Sequence, residues 1–207
     1  MIRALIFTSV LLGLSVIAGP ALAQGGKAPG AVVKGELGAR LDDYMTRLEG
    51  FGFSGTLLVA KDGDIVLSKG YGVADKSRGT PMTAETVISI GSITKQFTAA
   101  AILKLEMQGK LNVDDPITKY FPIVPPDKAG ITLHHLLTHT AGLDEDYGGT
   151  DYEEVSRDEI LKRVFSRPLK WEPGKRHLYS NAGYSLLGAI VEIVSGQTTS
   201  DTFTTTC

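Results

Sequence analysis

One cysteine occurs in 207 residues, and it is the last, Cys207. No intrachain disulfide is possible, so stability must come from a hydrophobic core, which a chain of this length with 43% hydrophobic residues can build. Runs of Lys or Arg are missing as well. With 21 basic against 23 acidic residues the net charge is -2, which leaves no electrostatic footprint for nucleic acid or an anionic membrane surface. The most apolar stretch, residues 4–18, is shorter than the roughly 20 residues that a membrane-spanning helix needs. Neither Gly-x-Ser-x-Gly nor Gly-x-x-x-x-Gly-Lys occurs, which counts against an α/β-hydrolase or a P-loop enzyme. His135 and His139 stand four apart with His134 beside them, but Leu136 follows His135, so the His-Glu-x-x-His pattern of zinc hydrolases is absent. No metal and no cofactor is expected.

What is present begins with a processing signal. Arg3 supplies a positive start, residues 4–18 are almost wholly apolar, Gly19-Pro20 breaks the run, and Ala21-Leu22-Ala23 is a small-x-small cleavage site. Residues 1–23 therefore read as a signal peptide cleaved after Ala23, which predicts a secreted or periplasmic protein with no stable membrane insertion after cleavage. The alternative, a membrane anchor, fits the short run and the breaker less well. No cysteine stands directly after the cleavage site, where Gln24 does, to carry a lipid.

Residues 24–36 are Gly-rich and are expected to form a mobile leader. Leu37, Leu41, Tyr44, Met45 and Leu48 recur at helical spacing and predict an amphipathic helix ending at Gly50. GTLLVA and IVLSKGYG flank Lys61-Asp62-Gly63-Asp64, an Asp-Gly hairpin signal. After Pro81, ETVISI reads as a short strand leading to Gly91. The helix that follows, ITKQFTAAAILKLEMQ, is apolar on almost every side in its middle and is predicted to be buried, with Gly109 ending it. Shorter helices are expected around LHHLLTH and near 156–166, and a last one, AGYSLLGAIVEIVS, stops at Gly196. There are no internal repeats.

Two short segments carry candidate chemistry. In Ser92-Ile93-Thr94-Lys95, Ser92 is a natural helix N-cap, and the capping pattern asks for Glu or Gln at the position that Lys95 holds. An ammonium in the first turn opposes the positive end of the helix dipole. The position that disfavours a charged lysine favours a neutral one, and residues three apart share a face, so Lys95 could take the proton of Ser92. From a solution pKa of about 10.4 this needs a shift of roughly three units, about 4 kcal/mol. The second segment is Tyr179-Ser180-Asn181, just before the last helix. Asn181 could be its N-cap and Tyr179 a core aromatic. Two apart in an extended segment, however, the two side chains point to one side, and a phenol near a lysine can share a proton with it.

On these residues the chain resembles the serine β-lactamase and penicillin-binding-protein superfamily, in the branch of class C β-lactamases, D-alanyl-D-alanine carboxypeptidases, D-aminopeptidases and related esterases. SITK matches the Ser-x-x-Lys motif and YSN the Tyr-x-Asn motif of that branch. LLTHTAGL, FSGTLLVAKDGDIVLSKGYGVAD, LNVDDPITKYFP and the EPG turn before YSN match family segments in order and spacing, from about residue 38 to 196. The resemblance implies an α/β fold of the β-lactamase/transpeptidase-like kind, with part of an antiparallel sheet followed by a mainly helical region over roughly 81–196. It also implies that Ser92 is the acylated nucleophile, Lys95 its activating partner, Tyr179 a proton carrier and Asn181 the group that binds the substrate's amide side chain. Either Lys95 or Tyr179 could take the first proton. His139 falls in a structural segment.

After Gly196 the text QTTSDTFTTTC departs from the family, whose members continue for well over a hundred residues into further strands that carry a Lys-Thr-Gly-like motif. The expectation is thus a partial domain over 37–196, an aberrant Thr-rich tail over 197–207 and a C-terminally truncated chain lacking activity. By descent the function is that of an exported serine hydrolase acting through an acyl-enzyme on a small-molecule or peptide substrate: a β-lactam, a D-amino-acid peptide or an ester. The other readings are a catalytically dead penicillin-recognition scaffold with a binding role and a fragment without function. The oligomeric state is left open.

Overall fold

The computed structural model describes residues 30–150 and 153–198. The predicted signal peptide and residues 199–207 of the predicted tail lie outside the described residues. The chain divides between residues 88 and 89 into two compact units.

The first unit pairs one helix with a small sheet. Strand β1 (Val32–Val33) precedes helix α1 (Gly35–Glu49), and the hairpin β2 (Gly55–Lys61) and β3 (Asp64–Tyr71) follows. The sheet order is β1-β3-β2, antiparallel throughout, with Val33 opposite Leu67 and Leu57 opposite Lys69. The predicted leader is thus ordered at its end, because two β-branched residues find a free edge on β3. The turn works as its sequence requires: Asp62 and Gly63 both take positive φ, 53° and 83°, the geometry that lets a two-residue loop follow the twist of its strands. Gly38 lets α1 approach β3 closely, since a Cβ there would lie 2.4 Å from the Val66 carbonyl oxygen. Asp42 on α1 then accepts from Lys69 Nζ at 2.6 Å and from Tyr71 Oη at 2.9 Å. A two-strand ribbon, β4 (Val73–Asp75) with β5 (Thr80–Pro81), completes the unit.

The predicted strand over ETVISI does not form. Residues 86–90 are irregular, and Val87 is 96% exposed. The residue types favour a strand, but a strand exists only as a ladder, and no partner for this segment occurs among the described residues.

The second unit is helical. A 3₁₀ turn (Gly91–Ile93) leads into α2 (Thr94–Met107), and α3 (Leu133–Leu137), α4 (Arg157–Ser166) and α5 (Asn181–Ser195) follow. Its core joins Ala101, Ile102 and Leu105 of α2 with Leu186, Leu187 and Ile190 of α5 and Leu133 and Leu136 of α3, all buried. Gly196 ends α5 in the left-handed conformation, with φ 70°, as its place after the last apolar residue predicts. One expectation needs correction. Helix α2 is not buried all round: it turns the stripe Thr98, Ala101, Ile102 and Leu105 inward and exposes Leu103 and Met107. A helix packed mainly against one partner buries one stripe, however apolar its other faces are.

Candidate active site

The site is built where α2 and α5 begin. The two helices pack along their length, so their first turns lie side by side and residues 86 positions apart come within bonding distance. Lys95 Nζ donates to Ser92 Oγ at 3.2 Å and to Asn181 Oδ1 at 2.7 Å. Tyr179 Oη lies 2.7 Å from Ser92 Oγ. All four residues singled out in the sequence are therefore joined in one hydrogen-bonded group. It opens on a cleft of about 780 Å³ whose wall includes Ser92, Lys95, Asp146, Asn181 and Tyr184.

Ser92 is not a helix cap. It lies within the 3₁₀ turn, α2 starts two residues later, and no side chain caps either element. The turn begins at Gly91, whose φ of 52° is open to glycine and uncommon for other residues. That geometry leaves the Ser92 hydroxyl to Lys95 and Tyr179. Asn181 is not the cap of α5 either. The cap is Ser180, buried, whose Oγ accepts from Gly183 N at 3.0 Å and donates to the Asp144 carbonyl at 2.7 Å. Asn181 is the first helical residue, and its side chain is free to face Lys95.

Tyr179 is held by a histidine. The Leu178 N–H donates to the His139 carbonyl at 2.8 Å and the Ser180 N–H donates to His139 Nδ1 at 3.0 Å, so His139 grips the backbone on both sides of Tyr179. Its ring also stacks on Tyr179, with centroids 4.7 Å apart, and lies 5.0 Å from Tyr184. To do this His139 adopts φ 57°, uncommon for a residue other than glycine. Burial, with His177 and Lys95 nearby, holds the imidazole below its ordinary pKa, and Nδ1 can accept the Ser180 N–H only while unprotonated. His135, weighed in the sequence as a possible ligand, instead closes a capping box with Thr132 at the start of α3. Among the described residues no group of three His, Cys, Asp or Glu side chains could hold a metal ion.

The electrostatics bear on the phenol. Lys95 Nζ lies 4.8 Å from the centre of the Tyr179 ring and 5.7 Å from that of Tyr184. The hydrogen bond and charge of Lys95, together with the bond to Ser92, pull the Tyr179 pKa below its ordinary value. Tyr184 moves the other way, raised by burial, and its hydroxyl is spent on the Leu137 carbonyl at 3.2 Å.

Two contributors escaped the sequence reading. Residues 144–154, DEDYGGTDYEE, are an acidic loop in the sequence with no chemistry assigned to it, yet the Glu145 carbonyl accepts the Asn181 N–H at 2.7 Å, and Asp146 Oδ1 accepts from Asn181 Nδ2 at 2.8 Å. No spacing rule links residues 145 and 146 to 181. The nearest signal is that the first N–H groups of α5 need acceptors, which any loop could supply.

Comparison with known proteins gives this geometry its context. A family model described as Beta-lactamase matches residues 29–206. The esterase EstB of Burkholderia gladioli is 37% identical over 159 residues, covering 68% of this chain and 40% of that protein. The putative penicillin-binding protein PbpX of Bacillus subtilis (strain 168) is 37% identical over 158 residues, covering 76% of this chain and 39% of that one. Among solved structures, the D-amino acid amidase of Ochrobactrum anthropi SV3, complexed with D-phenylalanine, superposes with a TM-score of 0.71 at 28% identity, over 83% of this chain and 49% of that one. The chain spans about 40% of the length of the curated relatives it matches. Because the family match takes in both compact units, the chain belongs to the beta-lactamase family and has its β-lactamase/transpeptidase-like fold.

Proposed function

We propose that this chain carries the acylating centre of an exported serine hydrolase that cleaves esters or amides through an acyl-enzyme. The observation that carries the reading is the placement of Ser92 Oγ within hydrogen-bond reach of both Tyr179 Oη and Lys95 Nζ, at the edge of an open cleft. A serine hydroxyl attacks a carbonyl only if its proton leaves, and Tyr179 Oη, 2.7 Å away with a lowered pKa, suits that task, while Lys95 Nζ is engaged with Asn181. Tyr179 is accordingly the proton acceptor and Lys95 the charge that makes it one. In acylation the Ser92 Oγ–carbonyl carbon bond forms and the serine proton passes to Tyr179. When the carbon–leaving-group bond breaks, Tyr179 returns that proton to the departing oxygen or nitrogen. Water then cleaves the acyl-enzyme by the same route. The Ser92 backbone N–H, in the 3₁₀ turn that precedes α2, would face the oxyanion.

The relatives' names support an acyl-transfer reading without choosing the leaving group: an esterase, a penicillin-binding protein and a D-amino acid amidase. Export rests on the apolar segment and the small-x-small site of the first 23 residues. Among the described residues no helix is long and apolar enough to cross a membrane. The direct test is covalent capture. A fluorophosphonate or fluorescent penicillin should add its mass to the peptide containing Ser92, and equal labelling of wild type and Ser92→Ala would overturn the proposal.

A further inference from the structure

We infer that Asp146 is a positioning residue that fixes the amide of Asn181 in one orientation, with its oxygen toward Lys95 and one N–H left free for substrate. The inference rests on the acyl-transfer reading above and assigns the site a fifth member.

The argument needs only the donor and acceptor character of three side chains. Asn181 is a symmetric fork that can present either oxygen or nitrogen to a neighbour. An ionised carboxylate only accepts, and a lysine ammonium only donates. Asp146 Oδ1 lies 2.8 Å from Asn181 Nδ2, while Lys95 Nζ lies 2.7 Å from Asn181 Oδ1. Rotating the amide by half a turn would set its oxygen against a carboxylate and its N–H₂ against an ammonium, losing two charge-assisted bonds and adding two repulsions. With Lys95 alone as partner the amide would have one restraint; Asp146 adds the second.

The carboxylate is itself held in place. The preceding residue, Glu145, offers its carbonyl to the Asn181 and Ala182 N–H groups at 2.7 and 3.3 Å, and the Asp144 carbonyl accepts from Ser180 Oγ at 2.7 Å. The Asp146 carbonyl accepts from Arg167 at 3.1 Å. Residues 144–146 are thus fastened to the first turn of α5, and the Asp146 side chain approaches Asn181 from a fixed base. Of the two Nδ2 hydrogens of Asn181, one is taken by Asp146. The second can be offered to the carbonyl of an acyl side chain in the cleft, which Asn181 and Asp146 both line. The lock therefore acts twice: it keeps an acceptor on Lys95, holding that charge beside Tyr179, and it keeps a donor facing the substrate.

The chain has two asparagines, Asn112 and Asn181, so selective ¹⁵N-asparagine labelling resolves the side-chain amide of each. In the full chain one Nδ2 proton of Asn181 should resonate downfield and exchange slowly, and both features should vanish in Asp146→Ala. In Asp146→Asn the new amide can meet Asn181 in either sense, and the Asn181 pair should broaden or double. Asp146 is exposed, so neither replacement should unfold the chain. The second readout is Ser92 acylation, compared between an ester bearing an N-acyl amide and a fluorophosphonate that offers Asn181 no carbonyl. Asp146→Asn should weaken capture of the ester by about tenfold through its apparent affinity, and capture of the fluorophosphonate by less. Unchanged Asn181 resonances in Asp146→Ala would overturn the lock, whatever the labelling shows. Labelling that persists in Ser92→Ala would instead overturn the acyl-transfer reading, and the resonances would still decide the orientation of Asn181.

Discussion

Helices α2 and α5 both begin with a serine near the first turn, and the two serines are used in opposite ways. Ser180 is buried, caps α5 by accepting the Gly183 N–H and bonds the Asp144 carbonyl, so its oxygen is fully committed to the fold. Ser92 is exposed, caps nothing, and gives its oxygen to Lys95 and Tyr179. The difference is set by the backbone. The segment before α5 is extended, with Ser180 at φ -139° and ψ 113°, which aims its side chain back at the helix. The segment before α2 is already wound into a 3₁₀ turn after the left-handed Gly91, which aims the Ser92 side chain outward. A helix end whose natural cap is withheld is a place where the fold has forgone about 1 kcal/mol of local stability, and here it borders the cleft.

The largest effect that separates the two serines is in covalent capture. Ser92→Ala should abolish labelling by a fluorophosphonate, whereas Ser180→Ala should retain it at a reduced rate, because loosening the start of α5 disturbs Tyr179 and Asn181 without removing the Ser92 hydroxyl. Gel fluorescence with a mass-mapped peptide distinguishes the two. Capture lost equally in both variants would mean that the contrast is one of folding alone.

Next in size is the pairing of Tyr179 with Lys95. Tyr179→Phe should slow acylation by about 10² to 10⁴, the range of a lost general base. The pH profile carries the sign. If Tyr179 is the proton acceptor, the reactive form is the deprotonated phenol, so the rate should rise with pH and level off above the Tyr179 pKa, which Lys95 and Ser92 hold below its ordinary value of 10.0. Lys95→Ala removes the main cause of that lowering and should move the rising limb to higher pH. Lys95→Arg keeps a positive charge that cannot be lost, so the limb should stay low even if the plateau falls. Should Lys95→Arg erase acylation at every pH while Tyr179→Phe leaves it intact, lysine would be the base.

The two helix starts also show what a sequence can and cannot convey. The Ser-x-x-Lys spacing encodes a shared helical face, and the Asp-Gly turn encodes a hairpin, because both depend on residues within one turn of each other. Whether Ser180 or Asn181 caps α5 does not follow from residue types, since both cap well and the choice falls to the Asp144 carbonyl, 36 positions away. For the same reason a capping role for Ser92 is the natural expectation and an incorrect one: the preceding turn, not the serine, decides. His139 and Asp146 act through tertiary contacts alone, one stacked on Tyr179 and one bonded to Asn181. In ETVISI the strand propensity is legible, and the lack of a partner strand among the described residues is not.

Stability should separate the serines again, by less. Ser180→Ala removes a cap, typically worth 0.5 to 2 kcal/mol, and leaves the Asp144 carbonyl without its donor, so the variant should lose about 2 to 3 kcal/mol in urea unfolding. A loss below about 0.5 kcal/mol would mean that water replaces the hydroxyl at both partners.

The smallest predicted effect is the most specific to the comparison. If Ser92 contributes no cap, Ser92→Ala should leave unfolding stability within about 0.5 kcal/mol of wild type, as at an exposed position away from any packed feature. The hydroxyl it removes is exposed, so no buried group is left unpaired there, and Lys95 keeps its bond to Asn181. Alanine also favours the helical geometry that the turn already has, which offsets the lost bond to Tyr179. A serine that costs the fold nothing to remove, yet whose removal ends covalent capture, is held for chemistry. Measured side by side by urea unfolding, a destabilisation of Ser92→Ala as large as that of Ser180→Ala would show that both helix starts rest on their serines in the same way, and the contrast drawn from the backbone would fail.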